Sequence, residues 1–281
     1  MPFPLSYPGL KCILEHLEAV KRVHIIGRSP GLQKIDKLIP FCLENFTIDS
    51  EDNLTINKLT IECYRDNVIF RMNGKTFSRQ ISLSQEDTIK KCINFYICGR
   101  SITRVDKLDW FRRLTTNFLP VGLKLRVNSL NADLETVILF IDSQSPLKTL
   151  ITTNKYSSLF DNQVVQLAET LLLILVTHRT VTVEDIKKLN NKTVEFKRHS
   201  FSRIDIIPLV KYHIETKKEF RTTFIISTDE TNFIDMMLQD FEQAFGEFQC
   251  DLQGVNERYV KYMGVKPIIS FQAYSRIFCV L

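Results

Sequence analysis

From Leu123 onward, strand-like segments begin at Leu123, Leu147, Thr170, Thr193 and Thr222, with separations of 24, 23, 23 and 29 residues. Alternation of period two marks a half-buried strand, and each interval is long enough for one helix with short connections. The clearest pair of units lies between Thr193 and Gly246. There Thr193-Val194-Glu195-Phe196-Lys197 reads as a strand, and Ile207, Val210 and Ile214 share one helical face. Pro208 is tolerated only in the first turn of that helix, which makes Asp205 its N-cap. Thr222 to Ser227 is the next strand. Thr231 then caps a helix whose stripe is Ile234, Met237, Leu238, Phe241 and Phe245, with Gly246 as its stop.

Earlier intervals carry helical stripes at Val164, Leu167 and Ala168, and at Val183, Ile186 and Leu189 behind a Thr182-x-x-Asp185 cap. One strand and one helix every 20–29 residues or so is the arrangement of leucine-rich-repeat-like solenoids, in which parallel strands line one face. No regular asparagine ladder is visible, so the repeats are irregular, and an ordinary α/β sheet is the alternative. If Val194, Phe196, Phe224 and Ile226 point inward, then Glu195, Lys197, Thr223, Ile225 and Ser227 point outward.

The first 120 residues follow other rules. Leu5 to Leu38 divides into three short helices: Leu10, Ile13, Leu14 and Leu17 after Pro8; Val20, Val23 and Ile26 up to Gly27; Leu32, Ile35 and Leu38 after Ser29-Pro30. Helices this short bury too little surface to stand alone. Residues 43 to 81 are expected to form a small antiparallel meander, because Asn73-Gly74 between two strand-like runs specifies a type I′ hairpin. Ser84 with Asp87 caps a helix carrying Ile89, Cys92, Ile93, Tyr96 and Ile97, which Gly99 ends. Trp110 is expected to open a helical segment to Phe118. The fold class is therefore α+β / α/β: a helical segment at 1–41, a meander and helix at 42–119, and irregular strand–helix units at 120–281.

No grouping of residues suggests a reaction. A phosphate loop, a His-x-x-x-His pair and a Gly-x-Ser-x-Gly elbow are all absent from the sequence. Gly27-Arg28-Ser29-Pro30-Gly31 lacks the Lys and preceding strand that phosphate cradling requires, so it reads as a turn. Five histidines are scattered, and seven cysteines include no Cys-x-x-Cys pair, which argues against zinc or a disulfide framework and for mostly buried, reduced thiols. We expect no cofactor and no enzymatic activity. A net charge of +5 is distributed over separated basic pairs, a pattern of solvated faces rather than a nucleic-acid interface. The longest apolar run, Leu171 to Val176, is too short to span a bilayer of about 30 Å. The expectation is a soluble protein of the cytoplasm or nucleus, monomeric outside any complex.

The run Pro4-Leu5-x-Tyr7-Pro8-x-Leu10-x-x-Ile13-Leu14-x-x-Leu17, followed by Arg28 and Leu32, resembles an F-box. Leu123 to Val127, Val183 to Lys192 and Phe241 to Asp251 extend the resemblance to the nematode F-box C family, with its F-box-associated domain of unknown function, from about residue 3 to residue 259. The tail after Tyr259 departs from that pattern. The resemblance implies a substrate-recognition adaptor of a cullin–RING (SCF-type) ubiquitin ligase. Leu5, Pro8, Leu10, Ile13, Leu14 and Leu17 would bind the Skp adaptor. The outward residues Glu195, Lys197, Thr223, Ile225 and Ser227 would meet a protein substrate. The alternative is a repeat scaffold whose N-terminal helices only cap it.

Overall fold

The computed structural model describes residues 7–51, 53–64, 66–100, 102–111, 119, 122–176, 179–198, 203–204, 207–209, 211–212, 222–228, 239–240, 243–244, 258–261, 268–272 and 276–280. The protein is a mixed α/β chain that divides into two compact units, Met1–Ser145 and Pro146–Leu281.

The N-terminal unit begins with α1 (Tyr7–His16), α2 (Ala19–Gly27) and α3 (Pro30–Asp36). The three-residue spacing of Val20, Val23 and Ile26 puts all three on the buried face of α2. Leu14, Ile26 and Ile39 form a small core, on which Leu10, Leu32 and Ile35 pack. Next come β1 (Phe41–Ile48), β2 (Leu54–Ile56), β3 (Leu59–Cys63), β4 (Asn67–Met72) and β5 (Lys75–Gln80), an antiparallel series in that order. Asn73 and Gly74 have φ of 50° and 76°, the two positive values that a type I′ turn demands. Then α4 (Gln85–Tyr96) starts behind Ser84, whose side chain accepts from the Asp87 N–H. It packs on β3 and α2.

β6 (Thr103–Trp110) and β7 (Leu125–Ala132) lie parallel to β1, in the order β7-β6-β1. Trp110 thus ends a strand instead of opening a helix; residues 112–118 lie outside the described set. The reason is visible in the burial pattern. In β6, Thr103 and Val105 are buried, then Leu108 and Trp110, with an exposed Asp106-Lys107 pair between them. That slip interrupts the alternation on which strand recognition depends. The same slip occurs in β1 and β7 at one level, where Asn45, Lys107 and Ser129 are register partners. The short helix α5 (Leu134–Val137) follows β7.

In the C-terminal unit, β8 (Thr149–Thr153) leads through a 3-10 turn at Ser157–Asp161 and α6 (Gln163–Leu167) to β9 (Thr170–Leu175). β10 (Thr180–Val181) and α7 (Val183–Lys187) precede β11 (Thr193–Arg198). The Thr182 and Asp185 cap is present in both halves, each side chain bonding the other's backbone N–H. β12 (Arg203–Ile204) pairs with β10. Residues 207–209 and 211–212 are helical ahead of β13 (Thr223–Thr228). Val210, Ile214, Asp205 and Thr231 lie outside the described residues, as do all of the following stripe's apolar positions.

β8, β9, β11 and β13 are parallel neighbours. Strands joined through helices must pair this way, because the chain crosses back to the same end of the sheet. Their inward rows are Leu150-Leu171-Val194-Phe224 and Thr152-Leu173-Phe196-Ile226, all buried, with Phe196 and Phe224 stacked at 6.2 Å. After β13, the tail continues as an antiparallel series of β14 (Arg258–Lys261), β15 (Ile268–Gln272) and β16 (Arg276–Val280), with β16 paired to β13.

Candidate functional site

The outward rows of the C-terminal sheet form a continuous face. Thr149, Thr170, Thr193 and Thr223 are successive register partners, a row of four β-branched hydroxyl residues one strand apart. The next row is Ile151-Leu172-Glu195-Ile225, and the third is Thr153-Ile174-Lys197-Ser227. Each of these side chains is half-buried except Lys197, which is exposed. Parallel strands in register hold neighbouring side chains about 5 Å apart, so the rows present hydroxyl, apolar and charged groups at fixed spacing. Ser227 Oγ donates to Glu195 Oε1 at 2.9 Å, fixing one carboxylate in the middle of the face. The five residues expected to read a partner, Glu195, Lys197, Thr223, Ile225 and Ser227, are brought together on β11 and β13.

Two asparagines tie successive units together. Asn191, buried two residues before β11, donates through Nδ2 to the Val165 and Ala168 carbonyls at 2.7 and 2.6 Å. Thr222 Oγ1 donates in turn to the Asn191 carbonyl. Asn154, just after β8, accepts from the Val176 N–H. Neither asparagine belongs to a repeating ladder, which is why the sequence pattern does not mark them. The available signal was an Asn held at the edge of a strand rather than a repeat of it.

The N-terminal motif residues divide. Leu14 is only 2% exposed and Leu10 packs on the same core, whereas Ile13 is 49% exposed and Pro8 is also outward. Leu17 is half-buried, and Leu5 lies outside the described residues. Ile25 on α2 and Leu38, just beyond α3, are further exposed apolar side chains of this segment.

Beneath the helices lies an ionic cluster that the sequence did not announce. Arg22 and Asp36 are 2% and 3% exposed, and Arg22 Nε donates to Asp36 Oδ1 at 2.6 Å. The remaining Arg22 donors reach the carbonyls of Pro40, Asp36 and Ile39. Arg100 approaches the other Asp36 oxygen at 3.4 Å and lies 3.9 Å from the centroid of the Phe41 ring. Burial lowers the Arg100 guanidinium from its ordinary value, against the pull of Asp36. One carboxylate therefore holds two arginines, fastening α2 and α3 to the starts of β1 and β6.

Reactive groups are sparse in the described structure. Burial pushes the Cys92 and Cys98 thiols up to about 11, so both stay protonated near neutral pH and are poor nucleophiles. Among the described cysteines, Cys63 is buried, Cys92 and Cys98 are half-buried, and Cys12 and Cys42 are exposed, so fewer of these thiols are buried than composition suggested. Among the described residues, no group of three His, Cys, Asp or Glu side chains is placed to hold a metal ion. Among them, too, no helix is long and apolar enough to cross a membrane.

The arrangement defines a mixed α/β protein whose distinctive surfaces are sheet faces. The chain belongs to the family described as Domain of unknown function (DUF3557), whose model matches residues 84–230, just over half of its length. That match runs from the cap of α4 to just beyond β13 and leaves the three N-terminal helices outside it. No curated protein and no solved structure matches the chain.

Proposed function

We propose that the protein is a non-enzymatic substrate-recognition adaptor of a cullin–RING ubiquitin ligase. The observation that carries this reading is the open face of β8, β9, β11 and β13, with its in-register rows of half-buried side chains. A face of that kind suits binding to another protein through a few central anchors. Glu195, Lys197, Thr223, Ile225 and Ser227 would contact the substrate. Parallel strands separated by short helices support the leucine-rich-repeat-like description of this unit, and Asn191 and Asn154 serve it as inter-unit bonds.

For the N-terminal helices, the division of the motif supports an F-box role. Leu10 and Leu14 hold the helices together, which leaves Pro8 and Ile13, with Leu5 and Leu17, to meet a Skp-type adaptor. A second reading is favoured by the Arg22–Asp36–Arg100 cluster, which anchors the helices to their own sheet: a repeat scaffold with a helical cap. Coexpression of the full chain with Skp separates the two. A stable 1:1 complex that Ile13→Asp abolishes, with the variant still folded by circular dichroism, supports the adaptor. Absence of any complex with the intact chain removes it. Leu14→Asp is unsuitable, because a charge in the small core would unfold the helices.

A further inference from the structure

The far edge of the N-terminal sheet carries an open groove. In the antiparallel series, Leu59, Phe70, Met72 and Phe77 share one face by register, Leu59 opposite Met72 and Phe70 opposite Phe77. Near β3 this face is covered by α4, but at β4 and β5 it runs past the helices. The result is a groove of about 600 Å³, with His24 of α2 and Tyr96 of α4 as its far wall. Tyr96 Oη lies 3.3 Å from His24 Nε2, bracing that wall. Phe77 is 64% exposed, and every residue of β5 is exposed.

Two further properties define what would fit. First, β5 is the outermost strand of its sheet, with a free edge among the described residues. Ile81 N–H donates to Asp66 O, which sets the phase of the β4–β5 ladder. By alternation, Lys75, Phe77 and Arg79 bond toward β4, whereas Thr76, Ser78 and Gln80 turn their N–H and C=O groups outward. Second, Lys75 and Arg79 line the groove on either side of Phe77 and form no ion pair among the described residues. The nearby carboxylate, Glu62, is held by Arg71 at 2.7 Å; both alternate with the groove residues and so lie on the opposite face.

We propose that this groove binds an extended acidic peptide segment, which adds to β5 as a further strand. Opposite Lys75, Phe77 and Arg79, the added strand would place acidic, apolar and acidic side chains at alternate positions. Its backbone would pair with Thr76, Ser78 and Gln80. The site is separate from the sheet face assigned above and does not depend on the adaptor reading.

The probe is an end-blocked fluorescent heptapeptide, Thr-Glu-Thr-Leu-Thr-Glu-Thr, titrated with the full chain and followed by anisotropy. The expected result is saturable binding that weakens with added salt and drops at least tenfold for the version with Lys in place of both Glu. Lys75→Ala combined with Arg79→Ala should weaken it by a similar factor. Ser78→Pro removes an outward N–H without touching the β4 ladder and should abolish binding while the circular dichroism spectrum is unchanged. No binding by the intact chain, equal binding of the lysine peptide, or full binding by Ser78→Pro would each overturn the proposal. So would a concentration-dependent dimer that Ser78→Pro dissolves, because the edge would then belong to a second copy.

Discussion

The two units build parallel strands in different ways. In the C-terminal unit, β8, β9 and β11 alternate without interruption, and the inward rows run Leu150-Leu171-Val194 and Thr152-Leu173-Phe196. In the N-terminal unit, β1, β6 and β7 all slip by one residue at the same level. A slip in one strand alone would turn half its side chains to the wrong face. Because all three slip together, their register is kept, and Phe46, Leu108 and Leu130 remain partners beyond it. The first unit also relies on buried charge where the second relies on buried amide and hydroxyl groups. A shared parallel arrangement can thus rest on quite different interior chemistry.

The largest expected effects test that contrast directly. Asp36→Asn leaves Arg22 and Arg100 without a counter-charge in a site closed to water, and breaking a buried pair costs about 3–5 kcal/mol. Phe196→Ala removes a fully buried ring stacked on Phe224 and should cost a comparable amount, about 3–5 kcal/mol, through the cavity alone. Urea denaturation measures both. If Asp36→Asn proves nearly neutral, the N-terminal unit does not depend on its ionic cluster, and the contrast fails.

What was legible follows the same division. Alternation such as Thr193-Val194-Glu195-Phe196 exposes both the strand and its inward face, so the starts and orientation of the later strands were readable. β6 was missed because Arg104, Asp106, Lys107 and Asp109 straddle the slip and mimic a polar segment. The Arg22–Asp36–Arg100 cluster was invisible for another reason: a charged residue on a helix carries no local mark of a partner fourteen residues on. The Asn73-Gly74 turn was plain, but the groove beside it depends on where α2 and α4 come to rest. That is a tertiary matter to which local pattern is blind.

Smaller effects probe the bonds between units of the second type. Asn191→Ala deprives the Val165 and Ala168 carbonyls of their shared donor in a buried site, which should cost about 1–3 kcal/mol. Thr182→Ala removes one half of the capping box of α7 and should cost about 1 kcal/mol. Thermal denaturation of the two variants side by side should therefore rank Asn191 above Thr182. The reverse order would mean that the repeating units are held by their own helices more than by each other.

The last effect is silent at neutral pH and appears only in alkali. Cys92, Tyr96 and Cys98 lie on or just beyond α4, and burial raises all three, to about 11, 12 and 11 from ordinary values of 9.0, 10.0 and 9.0. The folded state holds these protons more tightly than the unfolded state does. Their contribution to stability is therefore complete below about pH 9 and is lost as pH rises through 11 to 12. The sole tryptophan, Trp110, is buried against Phe46 and Phe140 in the same unit, so its emission reports the relevant core. The urea midpoint read by Trp110 should fall between pH 9 and 11. Cys92→Ala should lessen that fall while lowering the midpoint slightly at pH 7. An unchanged alkaline slope in Cys92→Ala would show that the thiol is ionised as easily in the folded unit as outside it.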